Sequence, residues 1–190
     1  AASTDRTEQV EAARRIWAEG FIAEAIDRFC TENEVLDASG ERHSGVLTGG
    51  DMAGWRAHYE DPLTYDYQGY GVCKCGPWNQ GPVLLQSLAV LDGVNMAAMD
   101  PLSPDFVHTV TECMKLSYAD REAWYGDPDF VDVPIDDLLS DSYASERRPL
   151  IDETASLELR PGSPGGHGAA KPLESTTASK RPVRPSPKAK

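Results

Sequence analysis

Few residues in this chain have the type and spacing for chemistry. His108 and Glu112 stand four apart, one helical turn, so their side chains share a face within hydrogen-bond reach. Such a pair suits general acid–base work or a ligand role, and it equally occurs as a structural or surface histidine. Asp127, Asp129 and Asp132 have the oxygen-rich spacing of a calcium loop. Such a loop needs further ligands in register and a closing acid. Pro128, Phe130 and Pro134 stiffen the segment, so a rigid structural turn is expected, with Asp120 and Arg121 pairing with each other or with backbone amides near the helix end. Cys73 and Cys75 lie two apart in an expected strand and point to one face. With no second pair, they join Cys30 and Cys113 as free, mostly buried thiols, which favours a cytoplasmic, reducing compartment over a periplasmic or secreted one. His43, His58 and His167 complete no local metal set.

A nucleophile is harder to find. Ser103, Ser117 and Ser140 lack the glycine-flanked turn of a serine hydrolase. Ser103 and Ser140 read instead as helix caps. The loop Gly76-Pro77-Trp78-Asn79-Gln80-Gly81-Pro82 either borders a ligand cleft or ties a hairpin to the helix after it. No phosphate-binding glycine loop and no aromatic-basic nucleic-acid pattern occurs. No catalytic, cofactor-binding or metal residue is therefore assigned, and no cofactor is expected.

The elements that must position these residues are mostly helical. Residues 5–29 have apolar positions at Val10, Ala13, Trp17 and Phe21, then Ala25 and Phe29. Gly20 interrupts them, leaving one bent helix or two meeting there. Residues 31–45 read as an exposed connection, and 50–58 as a short helix with Met52 and Trp55 on one side. Leu63, Tyr65 and Tyr67 alternate with polar residues into a hairpin that turns at Gln68-Gly69. A two-stranded ribbon is marginal by itself and calls for another layer. Residues 82–92 form a helix whose stripe is Val83, Leu84, Leu88 and Leu91, widened by Leu85 and Val90, and so broad that burial on more than one side is expected. The helix over 104–125 starts on Ser103 and Pro104, with Phe106, Val107, Val110, Met114 and Tyr118 as its core face. Ser140 caps a last short helix containing Tyr143.

The fold class is thus α+β and helix-rich, with residues 1–159 as one body. From Arg160 onward six prolines, seven bases and a single acid, without apolar periodicity, read as a disordered basic tail over 160–190. The chain's net charge of −13 falls further, to about −19, once that tail is set aside, which argues against nucleic-acid or anionic-membrane partners for the body. No apolar run is long enough to span a bilayer. The start, AASTDRTEQ, has no initiator methionine or signal-like segment and reads as a processing or fragment boundary.

Three stretches together resemble the late part of the gamma-glutamyltransferase large chain. They are GFIAEAIDRF, then LTGGDMAGWRAHYEDPLTYDYQGYGVCKCGPWNQGPVLLQSLAVLDG, then HTVTECMKLSYADREAWYGDPDFVDVPIDDLLSDSYASERRPLI. The resemblance spans residues 10–164, and GPWNQGP leans towards the cephalosporin-acylase-like branch. It implies part of an N-terminal-nucleophile (αββα) hydrolase large subunit. In that family a precursor cleaves itself, and the threonine exposed at the start of the small chain attacks an amide with its own amine as base. The implied partners are the rest of the large subunit, the small subunit with that threonine, and a gamma-glutamyl or glutaryl-like amide substrate. The family's carboxylate-binding arginine motif is not matched by Arg14, Arg15, Arg121 or Arg147. Thr48, Thr176 and Thr177 do not match the nucleophile, so the chain is expected to be inert by itself. SYADREAWYGDPDFVDVP then reads as a structural elbow, with the helices covering a sheet built elsewhere. The alternative readings are an acidic helical interaction module or inactive truncated relative, and a calcium-binding module on the Asp127–Asp132 loop.

Overall fold

The structure, a computed structural model, describes residues 4–168, and the chain divides between Tyr59 and Glu60 into two compact units. The first opens with α1 (Arg6–Glu19), where the Asp5 carboxylate accepts the amides of Thr7 and Glu8. Gly20 is extended (φ −101°, ψ −158°) and separates α1 from α2 (Phe21–Glu32), so two helices form rather than one bent one. Residues 31–45 are more than an exposed connection. They contain an antiparallel ribbon of β1 (Glu34–Leu36) and β2 (Arg42–Ser44). Asp37 closes it, accepting the Ser39 amide at 2.7 Å and meeting His43 Nδ1 at 2.7 Å. α3 (Gly49–Gly54) follows a reciprocal cap between Thr48 and Asp51 and stops before Trp55, shorter than expected.

The apolar stripe expected along the first two helices is not a core here. Ala23 is the buried apolar residue of this unit among the described residues, while Phe21 is 69% and Trp55 71% exposed. The physical reason is a missing layer: three short helices and a two-stranded ribbon supply no opposing surface for the stripe.

The second unit begins with the expected hairpin, β3 (Leu63–Tyr67) paired with β4 (Tyr70–Lys74). Gln68 and Gly69 both take positive φ, 52° and 84°, the backbone that a two-residue turn matching strand twist requires. Leu63, Tyr65, Val72 and Lys74 share the half-buried face, and the ribbon packs through it against α4 (Gly81–Asp92). α4 is buried nearly all round, as its breadth of apolar residues implies. Its phase differs from the expected stripe, however: Leu85 and Val90 are central, whereas Leu84 is exposed.

α5 (Pro104–Trp124) starts on the Ser103 hydroxyl, which accepts the Phe106 amide at 3.1 Å. Its orientation reverses the expectation. Thr109, Glu112, Cys113, Leu116, Ser117, Ala119 and Asp120 are buried, whereas Val107 is 57% and Met114 43% exposed. Of the expected stripe, Phe106 and Val110 are half-buried while Val107, Met114 and Tyr118 face outward, because the buried side carries Cys113, Leu116 and Ala119 together with the polar groups that pair with α4 and the later segments. After α6 (Ile135–Leu138) and α7 (Asp141–Arg147), residues 152–162 run along α5 in its own direction. The first part of the segment assigned above to the tail by composition is held in place: Gly162 bonds to Asp120 and Trp124, and Pro164 is buried, while 165–168 are exposed. Local composition does not reveal these bonds, whose partners lie about forty residues away. The rest of the expected tail, 169–190, lies outside the described residues.

Candidate functional site

Helix α5 collects most of the side chains with chemical potential, and their partners decide what they can do. His108 Nε2 lies 2.6 Å from the Asp152 carbonyl oxygen, an acceptor, so this nitrogen is the donor. Glu112 does not pair with His108. Its buried carboxylate takes Lys115, Arg160 Nη2 at 2.9 Å and the Ser156 amide at 3.4 Å. Burial opposes its ionisation, but Lys115, the Ser156 amide and Arg160 together hold its pKa below the ordinary value. His108 and Glu112 thus form no acid–base pair and act as two separate anchors for residues 152–160, in line with the structural alternative for His108.

One and two turns further along, α5 meets α4 through small polar groups. Ser87 Oγ donates to the Val83 carbonyl at 2.8 Å and lies 3.0 Å from Ser117 Oγ. Ser117 in turn donates to the Cys113 carbonyl, and the Cys113 thiol donates to the Ser87 carbonyl. Burial pushes the Cys113 thiol up to about 12, so it stays protonated and is a poor nucleophile.

Asp120, fully buried, is the densest node. Its Oδ2 accepts Gln86 Nε2 at 2.5 Å and the Tyr143 hydroxyl at 3.0 Å. Its Oδ1 accepts the Gly162 amide at 2.6 Å and Arg147 Nη2 at 3.3 Å. Burial pushes this carboxyl up, and Arg147 with the three neutral donors pulls against that. Burial and the Asp120 charge also push Tyr143 up, which keeps its hydroxyl a donor. Arg147 further donates to the Arg160 carbonyl, while its Nε is buried without a hydrogen-bond partner among the described residues. α4, α5, α7 and residues 160–162 thus meet at one carboxylate. The sequence reading anticipated an amide partner for Asp120 but missed Gln86, Tyr143 and Arg147, which no local spacing connects. Arg121 pairs instead with Glu122 and lies over the Tyr118 ring.

The remaining candidates serve structure. Asp127 accepts the Asp129 amide at 3.0 Å within an exposed turn. Among the described residues no group of three or more His, Cys, Asp or Glu is arranged to hold a metal ion. Ser140 caps α7 through the Tyr143 amide at 3.2 Å. All four cysteines are free, but only Cys113 is buried; Cys73 and Cys75 are exposed because they lie on the hairpin face turned away from α4. In the 76–82 loop, Trp78 Nε1 donates to Glu60 at 2.8 Å, Asn79 accepts the Gly81 amide at 2.6 Å, and Gln80 takes the Tyr118 hydroxyl at 3.3 Å. These are the ties of a hairpin-to-helix joint. In the first unit, a cleft of about 1010 Å³ is lined by Trp17, Trp55, Tyr59 and several arginines. Thr176 and Thr177 lie outside the described residues. No nucleophile, base and oxyanion donors converge among the described residues. What the geometry offers is a polar-clamped scaffold with its apolar helix face turned out.

Comparison with known proteins gives this scaffold relatives. The family model described as Gamma-glutamyltranspeptidase matches residues 6–180. The glutathione hydrolase proenzyme of Bacillus subtilis subsp. natto is 39% identical over 108 residues, 56% of this chain and 18% of the relative. Among solved structures, LmbA2991HD superposes with a TM-score of 0.72 at 53% identity, over 88% of this chain and 28% of that one. The cephalosporin acylase of Bacillus halodurans superposes with a TM-score of 0.67 at 30% identity, over 86% of this chain and 29% of that one. The chain thus spans less than a third of the length of each.

Proposed function

Because this chain belongs to the gamma-glutamyltranspeptidase family, as the helix-rich α+β part of an N-terminal-nucleophile hydrolase large subunit, we propose that it is the scaffold portion of an amidase or acyltransferase. Its substrates are gamma-glutamyl amides or the glutaryl-like amides of the acylase branch. The bond-breaking nucleophile is an N-terminal threonine on another chain, attacking the amide carbonyl with its own amine as base. This chain carries the layer that supports that site and does not touch the reacting atoms.

The observation that carries this reading is the orientation of α5. Val107, Met114 and Tyr118 form an apolar face turned to solvent, while two carboxylates are buried on the opposite side. Exposing apolar surface and burying charge is unfavourable unless the exposed face is covered by a further layer. The relatives' greater length and the proenzyme description of the Bacillus subtilis relative both support a second piece that supplies it. Among the described residues no helix is long and apolar enough to cross a membrane.

The test is amide hydrolysis against gamma-glutamyl and glutaryl amides by this chain, alone and mixed with the product of the adjoining reading frame. Activity only in the mixture is expected. Activity of the chain alone would overturn the scaffold assignment. Silence of a mixture that assembles would favour an interaction module without catalysis.

A further inference from the structure

Residues 152–162 are held to α5 in an unusual way. The segment runs parallel to the helix. His108 meets the Asp152 carbonyl, Glu112 and Lys115 meet Ser156, Glu112 meets Arg160, and Asp120 and Trp124 meet Gly162. Sixteen residue steps of helix advance roughly 24 Å. Ten steps of chain reach about 33 Å at full extension, so the segment has slack, and Arg160 Nη1 folds back to donate to the Leu150 carbonyl at 2.9 Å. It contributes no large apolar side chain to the core: Leu157 is 99% exposed and Leu159 54%. Apolar anchoring begins only outside it, at Ile151, which packs on the core cluster, and at buried Pro164.

We propose that residues 152–162 are a hinged strap, latched onto α5 by the Glu112 and Asp120 carboxylates, which opens as a unit while the α4–α5 core stays folded. The core is stabilised by apolar burial that the strap does not share. The strap must offset the ordering entropy of eleven residues with a few polar contacts, so its opening is the lower-energy event. The latch also has a steric key. A Cβ on Gly162 would fall 2.1 Å from the Tyr143 hydroxyl and 3.1 Å from Arg147 Cδ, so only glycine lets the strap close onto Asp120. Opening bares both carboxylates and Arg147, and releases the chain from its fixed path beside Trp124. The inference rests on this chain's own contacts and stands apart from the proposed activity.

Amide hydrogen exchange read by mass spectrometry on the full chain tests it from both sides of the latch. In Asp120→Asn, altered on the helix, and Gly162→Ala, altered on the strap, peptides over 153–162 should exchange roughly tenfold faster or more, while α4 peptides change by less than about threefold. Strap and core accelerating together in both variants, or neither moving, would overturn the proposal. The unsubstituted chain provides a reading even if either variant fails to fold. Its strap amides should exchange faster than α4 amides and respond less to low guanidinium; equal rates and equal slopes would overturn it.

Discussion

The buried carboxylate of Asp120 sets the strongest residue-level expectation. With Asp120 fully buried and Arg147 6% exposed, removing the cation leaves a charge without solvent or counter-ion. Breaking such a pair from one side destabilises by about 3–5 kcal/mol. Arg147→Met should therefore lower the denaturant midpoint strongly, and a shift within error would show that the pair is not formed. Glu112 gives the pH dependence. Its pKa lies below the ordinary carboxylate value, so its contribution to stability is fully present above pH 4.5 and is lost as pH falls through the lowered value. Acid titration followed by exchange at Ser156 should show protection falling on that side, and Glu112→Gln should flatten the response. Nothing in the local sequence marks either acid as buried. Apart from Lys115, their partners lie 23 to 48 residues away, which is why local spacing offered His108 as a partner for Glu112 that the fold does not use.

At the scale of elements, caps and turns were legible and faces were not. Ser103 and Ser140 cap helices through their own hydroxyls, and Gln68-Gly69 turns the hairpin, because these features depend on a few adjacent residues. The apolar stripe of α5 was also legible, yet which part is buried depends on what lies opposite: Phe106 and Val110 are half-buried, Val107, Met114 and Tyr118 face out, and Glu112, Leu116 and Asp120 face in. The β1–β2 ribbon was missed because its strands are three residues each and its closing bonds run through Asp37 side-chain oxygens. An outward apolar face makes a discriminating prediction. Val107→Lys and Met114→Lys should change the stability of the isolated chain by less than about 0.5 kcal/mol, as surface substitutions do. In the assembled enzyme the same changes should abolish co-purification of the partner chain. A large loss of stability in the isolated chain would mean that the face is already covered.

For the whole molecule, the family was legible from three ordered stretches, and the match over residues 6–180 bears that out. The chain spans less than a third of the length of each relative compared, and on the proposed function its contribution is the layer it presents to the remainder. The most direct measurement is oxidative footprinting of Met114 and Tyr118 in the isolated chain and in the assembly with the product of the adjoining frame. Both side chains should label readily in isolation and be protected at least tenfold in the assembly, with Leu157 on the strap unchanged. Equal labelling of Met114 and Tyr118 in the two states would contradict the claim that the outward face of α5 is where the remainder of the enzyme seats.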